Sequence, residues 1–158
     1  MARNWVILAE IDESEQWSKR LRGQSHGIKS VFGFNRNEHD ITSPRQPRGT
    51  AIITNTRLSS RFKESGTDPR KLGRWAWVRC GDENRIHNTF ISVYRPCLSS
   101  SGRYTTAYEQ HKRHIPPDKE LGKLFLDDLT DLVQTLQTKG DNIIVGMDPN
   151  QDIQSRKM

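Results

Sequence analysis

The chain has 158 residues, 32% of them hydrophobic and 28% charged, with a formal net charge of +6. A domain of this length buries roughly 68–70% of the surface its unfolded chain exposes, which allows one core and excludes a second. Its two cysteines, Cys80 and Cys97, exclude a disulfide framework and a zinc site made of thiolates alone, while the basic surplus suits polyanions or a solvated surface with no partner.

Residues 5–11 form a short apolar run rich in β-branched side chains, the pattern of a buried strand. The run is too short to span a membrane, and no small-residue cleavage site follows it. The expectation is therefore an intracellular protein, the nucleus included, with no secretion signal and no membrane anchor. Asp12 with Glu15 three residues on makes a capping box for a short helix to about Leu21, with Trp17 and Leu21 on one face. Residues 29–34 give a second strand, 35–48 a polar loop carrying Pro44 and Pro47, and 50–55 a third strand. Residues 56–74, with Gly66, Pro69 and Gly73, are expected to be irregular.

Residues 75–80 and 85–94 fit a hairpin joined through Gly81-Asp82-Glu83-Asn84, and Pro96 ends its second strand. After a Ser/Gly loop at 98–103, a helix is expected over 105–114, closed by Pro116-Pro117. The clearest helix covers 118–139. Asp118 is placed to cap it, Leu121, Leu124, Phe125, Leu129, Leu132, Val133 and Leu136 form one apolar stripe, and Gly140 stands where a helix stops. Residues 142–147 make a last apolar strand, followed by a polar tail from Gln151. Interspersed strands and helices with one antiparallel pair indicate a mixed α/β architecture.

Three points at strand ends carry candidate chemistry, since rigid sheets place sites in the loops beyond their strands. Glu10 ends an apolar strand, and its carboxylate either faces water or is paired with a metal ion or a base. Tyr94 and Arg95 leave the 85–94 strand together: a phenol and a guanidinium suited to phosphate oxygens, or a packed tyrosine followed by a solvated arginine. Asp148 and Asn150, in Gly146-Met147-Asp148-Pro149-Asn150, end the last strand. They suit a metal, a nucleophilic water and a phosphoryl oxygen, or form a plain Asx-Pro turn. His111 and His114 share a helix face in a setting of Glu and Lys, and are expected to be solvated.

The order of these motifs resembles the endonuclease/exonuclease/phosphatase superfamily. Leu8-Ala9-Glu10 is similar to the segment supplying its metal-binding glutamate, and Tyr94-Arg95-Pro96 to its Tyr-x-Pro strand exit. Gly146-Met147-Asp148-Pro149-Asn150 resembles its Gly-Asp-x-Asn motif with one residue inserted. Residues 48–53 and 72–75 look like retroelement endonuclease domains. The resemblance spans about residues 5–153. It implies a DNase I-like two-sheet β-sandwich flanked by helices, forming one domain over 1–153 with a polar tail at 154–158. It further implies phosphodiester hydrolysis assisted by Mg²⁺ or Mn²⁺, with nucleic acid, DNA before RNA, as the partner. On that basis Glu10 would hold the metal, and Tyr94 and Arg95 would contact phosphate. Asp148 would position the attacking water, and Asn150 would stabilise the phosphoryl oxygens.

Two family elements have no counterpart here: a first strand carrying an Asn near the metal, and a terminal Ser-Asp-His segment. The domain is thus expected to be incomplete at both ends. The alternatives are a catalytically inactive nucleic-acid-binding remnant and a decayed fragment.

Overall fold

The computed structural model describes residues 5–11, 27–37, 49–81, 87–97 and 106–150, with backbone alone for 5–11, 56 and 57. Seven strands and three helices occur among them: β1 (Trp5–Ile11), β2 (Lys29–Gly33), β3 (Gly49–Thr54), α1 (Thr56–Ser59), β4 (Phe62–Thr67), β5 (Trp75–Cys80), β6 (Asn88–Tyr94), α2 (Ala107–Arg113), α3 (Leu121–Thr138) and β7 (Asn142–Asp148). One sheet has the order β1-β3-β2 and is antiparallel throughout. The other has the order β4-β5-β6-β7, antiparallel except for its last pair, β6 and β7, which run parallel. The parallel pair requires a long crossover, and α2 and α3 provide it.

Period-two alternation on β5 and β6 separates two apolar layers. Ile52, Val78, Cys80 and Phe90 pack together, with Val31, Leu58 and Phe62 against them, and fill the space between the sheets. The alternate residues Trp75, Ile91 and Val93 point the other way, onto Phe125 and Leu136 of α3. The apolar stripe of α3 covers that outer face, with Leu129, Leu132 and Val133 at its margin. Each fully buried side chain of this kind contributes about 1.5–3 kcal/mol. A third cluster of Leu72, Ile115, Leu121 and Leu124 seats the start of α3 against the β4–β5 connection. The sequence signals behind α3 hold at its C-terminus, where Gly140 takes a φ of 76°.

Several expectations change. Residues 62–67, expected to be irregular, form the edge strand β4. Lys63, Glu64, Ser65 and Thr67 are exposed and Phe62 is the one large apolar residue of the segment, so no apolar alternation marks it; pairing with β5 and the Trp77 indole lying over Gly66 help to hold it. The α3 helix begins at Leu121, with Glu120 rather than Asp118 at the N-cap and no side-chain cap bond. His111 is buried at 1% exposure, whereas His114 is exposed. The inward stripe of α2 is Ala107, Gln110 and His111, spaced i, i+3, i+4, so the two histidines do not share a solvated face. The helix expected over 12–21, the turn at 82–86 and the tail from 151 lie outside the described residues.

Candidate functional site

The strand registers bring the three sequence-picked segments to one end of the sandwich. Ile11, at the end of β1, pairs with Gly49 at the start of β3, and Gly33, at the end of β2, pairs with Thr50. Gly33 lies so close to the start of β5 that a Cβ there would stand 2.6 Å from the Trp75 carbonyl oxygen. Trp75 is paired with Val93, and the next residue of β6, Tyr94, with Asp148 of β7. The ends of β1, β2, β6 and β7 therefore converge. Strand β1 also approaches both β6 and β7 from the facing sheet. Glu10 sits on β1 where its register with β3 shifts between Ala9 and Ile11. Its side chain lies outside the described residues.

Tyr94 and Asp148 share one face of adjacent strands. Phe90, two pleats earlier on the same face as Tyr94, packs between the sheets, so both side chains belong to the inter-sheet side. Tyr94 is fully buried and Asp148 partly so. Asp148 Oδ1 accepts the Asn150 backbone N–H at 3.1 Å, the Asx turn that this sequence allows. Asn150 follows with φ 44°, a left-handed conformation that asparagine tolerates better than most residues. Its side-chain amide donates to the Arg95 carbonyl oxygen at 2.7 Å, and the Arg95 N–H donates to the Asp148 carbonyl oxygen at 3.1 Å. These bonds lock the exits of β6 and β7 together. The Arg95 side chain lines a small cavity of about 40 Å³ with Tyr108, Glu120 and Gly122, and a Cβ on Gly122 would meet its Nη2 at 3.2 Å.

A charge network that sequence reasoning missed supports this end from the helix side. Arg74 is fully buried. It donates to Asp68 through Nε at 2.7 Å and Nη2 at 2.9 Å, and to Asp128 of α3 at 2.8 Å. Its guanidinium lies 4.4 Å from the Trp75 ring centroid. Arg70 grips the same Asp128 through Nε at 2.6 Å. Burial pushes the Asp128 carboxyl up, but the hydrogen bonds and charges of Arg70 and Arg74 outweigh it and hold the group below its ordinary range. The one sequence signal for this network is the Asp68-Pro69-Arg70 turn, because Asp128 is 54 residues or more from both arginines. Thr50 Oγ1, Arg74 Nη1 and Trp75 Nε1 are buried at this end without a hydrogen-bond partner. Buried polar atoms of this kind are where ordered water or ligand is held.

A hard divalent cation takes several oxygen ligands. Asp148 offers one carboxylate, already engaged on Oδ1. Among the described residues, no group of three Asp, Glu, His or Cys side chains converges as a metal site would need. The described residues by themselves do not build a Mg²⁺ site.

No protein-family model and no curated protein matches the chain. Among solved structures, the chain is similar to the catalytic domain of human Nocturnin, determined with a bound sulfate anion. The TM-score is 0.52 at 16% identity, covering 96% of this chain and 53% of that one. The likeness is one of fold: the two-sheet α/β architecture flanked by helices is shared with part of that domain. The likeness is distant and does not single out retroelement endonucleases. This chain spans about half the length of the domain it matches. Among the described residues, no helix is long and apolar enough to cross a membrane.

Proposed function

We propose that this domain binds nucleic acid across its converged strand ends and does not hydrolyse it. What supports this is the way the candidate groups are already used. The Asn150 amide is committed to the Arg95 carbonyl oxygen at 2.7 Å, and Asp148 Oδ1 to the Asn150 N–H. Tyr94 is buried rather than presented to a ligand. These bonds turn the strand exits into a rigid platform. The net charge of +6 supplies the long-range attraction for a polyanion. The similar human domain carries a sulfate, a tetrahedral anion like phosphate.

The second reading is a Mg²⁺- or Mn²⁺-dependent phosphodiesterase acting on DNA, of retroelement type. It is favoured by the shared register of Tyr94 and Asp148 beside the end of β1. Glu10 would then hold the metal, Asp148 would position water, Asn150 would stabilise phosphoryl oxygens, and Tyr94 and Arg95 would contact phosphate. The bound cation would supply charge neutralisation and water activation.

Nicking of supercoiled plasmid, measured beside salt-dependent binding, separates the two. The expected result is binding that weakens steeply with salt, with no Mg²⁺-dependent nicking. Metal-dependent nicking that disappears in both Glu10→Ala and Asp148→Ala would overturn it in favour of the enzyme.

A further inference from the structure

The loops that follow β2 and β4 enclose a pocket of about 220 Å³, lined by Gly33, Arg36, Asp68, Lys71 and Gly73 among others. It opens at the same end of the sandwich as Tyr94 and Asp148, because Gly33 ends β2 and Thr67 pairs with Ala76 near the start of β5. Its walls are fixed. The Arg36 N–H donates to the Lys71 carbonyl oxygen at 2.8 Å, Asn37 Nδ2 donates to the Arg70 carbonyl oxygen at 2.8 Å, and Asn35 bridges Leu72. Gly73, with φ 74°, leaves no room for a side chain, since a Cβ would stand 2.7 Å from Asn35 N.

The charge of the pocket follows from what is already paired. Asp68 accepts from Arg74 Nε and Nη2 and from the backbone N–H of Arg70 at 2.9 Å, so its negative charge is spent inward. Asp128 is shared by Arg70 and Arg74. Two carboxylates and two guanidiniums cancel. Arg36 and Lys71 remain, both exposed, each with no carboxylate partner among the described residues. Lys71 also has φ 61°, a left-handed conformation that is strained for a non-glycine residue and recurs at ligand clamps. The volume falls below the roughly 300–1,000 Å³ of sites for drug-sized ligands, which suits a single phosphate-bearing unit of a longer molecule.

We propose that this pocket is a backbone-phosphate subsite for nucleic acid, in which Arg36 and Lys71 grip a phosphate flanking the Tyr94–Asp148 edge. It rests on the nucleic-acid reading above. Strand β4 stands three strand spacings from β7, about 14 Å, which is roughly four nucleotides of helical rise. An oligonucleotide long enough to cover both points engages the pocket; a dinucleotide does not.

The test is fluorescence anisotropy with a labelled 12-nucleotide single strand, using the full chain and the Arg36→Gln/Lys71→Gly variant. Glycine at 71 removes the cation and relaxes the left-handed backbone, so an unchanged or raised Tm shows that lost binding is not unfolding. The expected result is at least tenfold weaker binding at 50 mM salt and a salt slope reduced by about 0.7, the value for one single-strand phosphate contact. A control variant, Lys112→Gln/Lys119→Gln, removes the same charge elsewhere; an equal loss in both variants would overturn the pocket and leave net charge as the cause. Undiminished binding by the pocket variant would overturn it too, with the nucleic-acid reading intact. If the wild type binds no oligonucleotide, the nucleic-acid reading fails, and NMR titration with inorganic phosphate decides the pocket. Saturable shifts of the Gly33 and Gly73 amides, absent in the variant, uphold a phosphate site; linear shifts common to both proteins overturn it.

Discussion

Strands β6 and β7 lie side by side in parallel, residue against residue from Asn88–Asn142 to Tyr94–Asp148. Both are seven residues long and mix apolar with polar side chains. Six residues of β6 are buried, and none of β7 is. The difference comes from neighbours rather than composition. Strand β6 has a partner on each edge, α3 on one face and the β1-β3-β2 sheet on the other. Among the described residues, β7 has a partner on one edge only, and Ile144, Val145 and Met147 stay 38–46% exposed. A strand in this position presents unpaired backbone groups together with apolar side chains, the combination that promotes association.

The largest expected effect falls beside the buried strand. Arg74→Met leaves Asp68 buried and unpaired, and breaking such a pair costs about 3–5 kcal/mol, measured by urea unfolding. Ile91 and Val145 are register partners and test the comparison directly. Ile91→Ala is expected to cost about 2–5 kcal/mol and Val145→Ala under about 1 kcal/mol; equal losses would mean that β7 is covered in solution. The double change Ile144→Thr/Val145→Thr should leave the unfolding midpoint almost unmoved while lowering self-association in sedimentation velocity.

The smallest effect is acid sensitivity. The Asp141 carboxyl is held low by its hydrogen bonds from Arg79 at 2.7 and 2.8 Å, and Asp128 is held low by Arg70 and Arg74. Both folded values lie below the unfolded value near 3.9, so their stabilisation is full above about pH 4 and is lost as pH falls through the folded values. Denaturation midpoints at pH 7, 4 and 3 should show this decline, and Arg79→Gln should flatten the part due to Asp141.

Elements with a strong period were legible in the sequence. The strands at 5–11, 29–33, 75–80 and 142–148 and the stripe of α3 stand close to where the alternation and helical spacing put them. Strand β4 was not legible, because an exposed edge strand carries no apolar alternation and is held by pairing and by contacts distant in sequence. The candidate residues were found one by one at strand ends, and their convergence depends on long-range pairing. Nothing local reveals that Asp148 stands beside Tyr94, or that the Asn150 amide is taken by the Arg95 carbonyl oxygen. Arg36 and Lys71 were passed over because each sits in a polar loop whose partner loop is distant in sequence.

The parallel pairing of β6 with β7 also sets when the strand-end platform can form. Its register partners lie 54 residues apart, with both α2 and α3 between them. Closing that distance is paid in chain entropy before any ladder bond returns it, and such contacts form slowly. The hairpin of β5 and β6 needs no such closure. Loop-closure entropy therefore predicts that Tyr94 is placed before Asp148 joins it across the α2–α3 crossover.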